Sequence, residues 1–268
     1  MPRFILPKGL FRAFIILLLA LFIFLPLAQT IFLSFVATRP HPDIEIGSIG
    51  LFNFRAIFES PVLTASILNS LTYVLLNVFL CLFVGLPAAY AFSRYRFIGD
   101  RHILLLLLTF RLTPPVTLSL PIFLLFAEFN LVNSPLGIGL VHCLFNIPIA
   151  IWILENFITE IPPEFDEMAF IDGYSLPRFF LTRLIPALAP GIAVAGFFCF
   201  IFSWVEVVFA RILTVTAGKP ITMAINALFT FQTDIGLVMA MTVFSLLPGM
   251  AMIFLIRNHI SKGFVVRM

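Results

Sequence analysis

Six apolar runs limit what this chain can fold into. They lie at approximately residues 11–36, 64–92, 102–127, 136–154, 187–210 and 235–256. Each comes close to or exceeds the roughly 20 residues that carry a helix across a lipid core. Backbone in hydrocarbon must satisfy its own N–H and C=O groups, so only helices or a closed barrel can span. None of the runs alternates apolar and polar residues as a barrel strand does. The expected fold is therefore an all-α integral membrane protein of six transmembrane helices, with residues 1–268 as one transmembrane domain surrounded by lipid. Composition agrees, with 61% of residues hydrophobic and 11% charged, where a soluble domain has about 25% charged. The net charge of +3 does not suggest a nucleic-acid partner.

Lys and Arg at the ends of the runs set the orientation. One side carries eleven: Arg3, Lys8, Arg12, Arg94, Arg96, Arg101, Arg178, Arg183, Arg257, Lys262 and Arg267. The other carries four, Arg39, Arg55, Arg211 and Lys219, while Arg111 lies within the third run. The richer side is expected to be cytoplasmic, which places both termini inside. The first run is too long for a signal-peptide core and reads as a retained span.

Between the fourth and fifth runs lies a polar stretch, residues 161–186, that reads as built structure. Pro162 and Pro163 suit the start of a helix, where a missing N–H goes unnoticed. Glu164, Asp166 and Glu167 follow, where the helix dipole favours carboxylates. Phe165, Met168 and Ala169 are spaced to share one face. Gly173 suits the left-handed closing residue, and Ser175 with Pro177 suits the start of a second helix. The expected product is helix, glycine corner, helix, with an exposed face apolar at its centre and acidic at its rim. Such a face suits docking on another protein. A helix lying on lipid headgroups is usually basic on its polar face, whereas this one opens acidic.

These residues carry a resemblance. Glu167-Met168-Ala169, then Asp172-Gly173, then Ile185-Pro186 resemble the EAA loop of ABC-importer permeases, with Met168 where that family usually has Ala. Asn69-Ser70, Ala88-Ala89-Tyr90-Ala91 with Arg94, Pro114-Pro115 with Pro121, and Asn146-Ile147-Pro148 with Trp152 resemble the same permeases. So does Ser203-Trp204-Val205-Glu206, with Val205 where Asn is usual. The match runs from about residue 64 to the end and is nearest the sugar and polyol branch, with the tail after Arg257 tilting towards small polyols such as glycerol. The resemblance implies the type I ABC importer permease fold, in the bacterial inner membrane. It implies a second homologous permease, a cytoplasmic ATPase dimer, and a periplasmic or lipid-anchored substrate-binding protein as partners. It makes Glu164, Phe165, Glu167, Met168, Ala169, Asp172 and Gly173 the ATPase-coupling residues. No nucleotide-binding motif stands in the chain; Gly218-Lys219-Pro220 lacks the spacing of a phosphate loop. The chain is thus expected to be no enzyme and to hold no cofactor, with ATP and Mg bound by the partner ATPase.

Candidates for the translocation path are polar groups at membrane depth. Arg111 beside Thr113-Pro114-Pro115 would cost about 2.5–3.5 kcal/mol if exposed to lipid, so it faces a cavity or snorkels to the surface. Glu206 invites pairing with Arg211 five residues on. Trp204 suits a sugar-stacking ring or an interfacial anchor. Asn77 and Asn146 suit helix-to-helix hydrogen bonds or substrate contact. Gly191 and Ala195 permit close helix packing. Cys81, Cys143 and Cys199 match no zinc or disulfide spacing and read as small buried groups. His41, His102, His142 and His259 are scattered, so neither a metal site nor a catalytic constellation is expected. An ion-coupled secondary transporter acting alone is the alternative reading; it usually shows paired broken helices, whereas only the third run is clearly broken in sequence.

Overall fold

A computed structural model describes residues 8–39, 44–229 and 233–263; Arg3, His41, Phe264 and Arg267 lie outside them. The described residues are almost wholly helical: α1 (Lys8–Ser34), α2 (Phe52–Glu59), α3 (Pro61–Arg94), α4 (Asp100–Arg111), α5 (Pro115–Glu128), α6 (Pro135–Thr159) and α7 (Glu164–Ile171). A short helix, α8 (Leu176–Phe179), then runs through a π-helical turn (Phe180–Leu184) into α9 (Ile185–Ala187). The rest comprises α10 (Ala189–Trp204), α11 (Val208–Leu213), α12 (Ile221–Leu228) and α13 (Ile235–Gly263). Among the described residues four helices are long and apolar enough to cross a membrane singly, and the number rises to six if each of two bent pairs forms one span.

The break in the third run is a bend of 93° between His102–Arg111 and Pro115–Glu128. Consecutive prolines cause it, because a residue before proline is driven out of the helical region. Pro114 is extended, with ψ 126°, and starts α5. A second bend of 82° separates Leu176–Ala187 from Ala189–Trp204, so the third run is not the only broken one. The fifth run also ends sooner than 187–210 suggests, because α10 stops at Trp204 and α11 begins anew. The stretch after Lys219 holds a helix, α12, that its loop-like composition did not signal; Pro220 starts it, its carbonyl accepting from Met223 and Ala224 N–H.

The chain divides into two compact units. The first joins Met1–Thr64 to Ile225–Leu247. Here Asn53, 3% exposed, donates to the carbonyls of Ser34 and Val36. Thr38 donates to Asp234 and accepts from Gly236 N–H, each at 2.8 Å. The second unit comprises Ala65–Ala224 and Pro248–Met268. Its central contact is α6 against α10. Gly191 makes that approach possible: a Cβ there would meet Phe157 Cγ at 2.7 Å. Ala195 behind it is wholly buried.

Candidate functional site

Two constructions in the second unit could carry function: an elbow built from residues 161–186 and a mainly apolar cavity with four polar side chains among α4, α5, α6, α10 and α11.

The elbow starts as its prolines suggest, with Phe165 N–H on the Pro162 carbonyl and Asp166 and Glu167 N–H on that of Pro163. Its corner is a Schellman closure. Gly173, at φ +79°, donates to the Phe170 carbonyl, and Tyr174 donates to that of Ala169. Ser175 takes the extended N-cap conformation before α8, but its hydroxyl caps nothing. Phe165 and Ala169 turn inward against Phe179 and Leu184, with Ala169 7% exposed. Met168 departs from the shared face expected of it and is 59% exposed. The inward stripe is Phe165, Asp166 and Ala169, and Met168 falls on the far side of Phe165 from Asp166. The outward face of α7 therefore carries Met168 and Ile171, with Glu164, Glu167 and Asp172 exposed around them. Asp166, which sequence reasoning left out of the site, is buried and bonded to Tyr90 and Arg94 of α3. The three are spread over 76 positions, and nothing local pairs them.

The cavity, of about 230 Å³, is lined by Arg111, Leu112, Pro115, His142, Phe145, Asn146, Phe202, Glu206 and Phe209. Arg111 does not snorkel. Its guanidinium donates to the Phe145 carbonyl and to Asn146 Oδ1, and lies 4.1 Å from the centre of the Phe202 ring. Carbonyl partners and an aromatic face together offset the cost of the charge. Glu206 does not pair with Arg211, which is exposed. Its Oε2 lies 3.3 Å from His142 Nε2, and its two oxygens accept from Phe209 and Ala210 N–H. Those N–H groups open α11, where unpaired donors and the helix dipole favour a carboxylate. A lengthened α10 would forfeit this cap, which explains the early end of the fifth span. His142, judged isolated from its sequence neighbours, also lies 2.6 Å by Nδ1 from Ser203 Oγ.

The other path candidates lie apart from the cavity wall. Trp204 is 6% exposed and parallel to the Phe200 ring at 5.7 Å, which leaves it no open face on which a ligand could stack. Thr113 is half-buried at the α4–α5 break. Asn77 stands behind the cavity and holds Asn146 from α3. The three cysteines, distant in sequence, form one buried cluster with Ala150, reduced and 3.8 Å apart between Cys81 and Cys143 sulfurs. Among the described residues no group of three or more His, Cys, Asp or Glu side chains is placed to hold a metal ion.

Comparison with known proteins agrees with this architecture. A trehalose transport system permease protein of Mycobacterium tuberculosis is 27% identical over 215 residues, 79% of this chain and 78% of the relative. A putative ABC transporter permease of a Caldicellulosiruptor species is 30% identical over 215 residues, 79% of this chain and 77% of the relative. A trehalose/maltose transport system permease protein of Thermococcus litoralis is 27% identical, covering 83% of this chain and 81% of the relative. The fold is shared with a chain in the crystal structure of a bacterial ABC transporter involved in the import of the acidic polysaccharide alginate, at TM-score 0.73, 19% identity and 96% coverage of both chains. The family model of binding-protein-dependent transport system inner membrane components matches residues 81–265, which include both the elbow and the cavity. The ion-coupled alternative gives way: the chain is a multi-pass inner-membrane transport subunit and belongs to the family of binding-protein-dependent transport system inner membrane components.

Proposed function

We propose that this chain is the permease subunit of an ATP-driven importer that carries a sugar or polyol, including small glycerol-like polyols, into the cell. Residues 1–268 act as one transmembrane domain with both termini cytoplasmic, as the distribution of Lys and Arg favours. A second homologous permease completes the pathway. A periplasmic or lipid-anchored binding protein delivers the cargo, and a separate cytoplasmic ATPase dimer binds ATP and Mg. The names of the trehalose and trehalose/maltose permeases support the cargo class.

One observation carries the coupling role. α7 presents Met168 and Ile171, 59% and 85% exposed, within a rim of Glu164, Glu167 and Asp172, while Phe165 and Ala169 fix its other side to the bundle. An apolar knob on a braced helix suits a groove in a partner, and Gly173 sets its angle. ATPase closure then swings the elbow and turns the pathway from inward-open to outward-open. Arg111, Asn146 and Glu206 line the stretch of pathway that this chain contributes, with Thr113 at the α4–α5 break and Asn77 and Trp204 supporting the wall.

The test is reconstitution of the whole transporter with Glu167→Lys or Gly173→Pro in this chain. Loss of substrate-stimulated ATP hydrolysis, with the chain still inserted, is the expected result. Full stimulation with either change removes the coupling role from the elbow.

A further inference from the structure

The buried side of the elbow is bonded not to its neighbours in sequence but to a distant span. Arg94 closes the last turn of α3, 72 positions before Asp166. Its Nε lies 2.6 Å from Asp166 Oδ2, its Nη2 3.4 Å from Oδ1 and 2.9 Å from the Ile161 carbonyl. Tyr90, one helical turn earlier, donates its hydroxyl to the same Oδ2 at 3.0 Å. Both side chains of the ion pair are nearly enclosed, at 10% and 7% exposure.

Tyr90 also grips the second arm. Its ring packs edge-on against Phe180 at 5.0 Å and tilted against Phe179 at 6.2 Å. The end of α3 thus holds α7 by a carboxylate and the segment after the corner by aromatic contact. Hydrogen bonds to charged groups in a poorly solvated place are directional and short-ranged, so such a joint resists sliding. An exposed ion pair would be held far less firmly.

We propose that Tyr90 and Arg94 are positioning residues that latch the elbow to α3, so that α3 is the span that moves with the elbow when the ATPase closes. This rests on the coupling role given to the elbow. The load then passes from α7 through Asp166 into α3, bypassing the 82° bend that separates the elbow from α10. Coupling through packed elements requires such a discrete, rigid connection.

The experiment uses the assembled transporter in lipid nanodiscs, with spin labels at Ser175→Cys on the elbow and Phe83→Cys on α3. Both positions are exposed, and neither belongs to the latch. Pulsed electron resonance reads their separation in the nucleotide-free and the ATP-vanadate-trapped states. The latch predicts one unchanged separation in both states, and a state-dependent separation once Arg94→Gln is introduced. A separation that changes with state in the unsubstituted latch overturns the proposal, and this arm needs no variant of the latch to fold. A cross-link from Met168→Cys to the ATPase separates the two readings. If it is absent, the elbow reading fails; if it is present while the separation changes, only the latch fails. In vesicles, Arg94→Gln and Asp166→Asn should lower cargo uptake per ATP hydrolysed by roughly tenfold with the cross-link retained. Arg94→Lys should restore part of it, and Tyr90→Phe should cost less than either. An uptake-to-hydrolysis ratio equal to wild type in all four also overturns the proposal.

Discussion

Asn146 donates a hydrogen bond of 2.9 Å to Asn77 Oδ1, joining α6 to α3 with both side chains at most 3% exposed. Asn77 in turn donates to Cys143 Sγ at 3.3 Å, and Asn146 accepts from Arg111. Replacing one amide by Leu strands the other, and a buried polar group left unpaired costs about 1–3 kcal/mol. Asn77→Leu and Asn146→Leu should each lower the unfolding midpoint in detergent. The double variant should lose less than the sum, by roughly 0.6–1.7 kcal/mol, the range found for hydrogen bonds between membrane helices. Additive losses would show that the amide pair contributes no bond of its own.

Glu206 has two tasks that substitution separates. Its oxygens accept from Phe209 and Ala210 N–H, and one of them also faces His142. Glu206→Gln keeps one acceptor oxygen, whereas Glu206→Ala removes the cap, a loss typically worth about 1 kcal/mol. Amide hydrogen exchange at Phe209 and Ala210 should speed up about fivefold in the alanine variant and less in the glutamine variant, following that free energy. Equal exchange in both variants would place the stability of α11 elsewhere.

Most span positions, the α4–α5 break and the Gly173 corner are legible in sequence, because each depends on local chemistry: a run of apolar residues, a proline pair, a left-handed glycine. What is not legible joins residues far apart. His142 and Glu206 are separated by 64 positions, Arg94 and Asp166 by 72. In a chain where all six spans are similarly apolar, periodicity does not reveal which face of one meets which face of another. Glu206 was the informative failure. Its position suggests Arg211, yet the first turn of a new helix offers two backbone donors that an exposed arginine does not match. Asp166 was hidden among carboxylates that share the same helix start, and only burial distinguishes it from Glu164 and Glu167.

Gly191 is held to glycine by contact alone. Its added Cβ would lie 2.7 Å from Phe157 Cγ and 2.9 Å from Phe157 Cβ. Forcing an atom into such a gap typically costs about 1–3 kcal/mol. Gly191→Ala should lower the thermal midpoint, and by less in a Phe157→Ala background, where the ring carbons Cγ and Cδ2 that the new methyl would meet are gone. An equal loss in both backgrounds would mean that the α6–α10 backbones themselves, and not the ring, set the spacing.

Gly173 is held to glycine by conformation instead, and the two glycines should respond differently to substitution. No atom lies within 4 Å of where its Cβ would be, while φ is +79°. Alanine there meets open space but pays the left-handed penalty of about 1–2 kcal/mol. Asparagine tolerates that region better than alanine. Proline cannot reach it at all, and it also removes the N–H that donates to the Phe170 carbonyl at 3.0 Å. If the corner sets the angle at which α7 meets an ATPase, stimulated hydrolysis in the reconstituted transporter should fall in the order Gly, Asn, Ala, Pro. A purely steric corner would instead rank variants by side-chain volume and place Asn below Ala. That inversion between Asn and Ala is the measurement that decides, because it separates backbone geometry from bulk at a position where the surrounding space is empty.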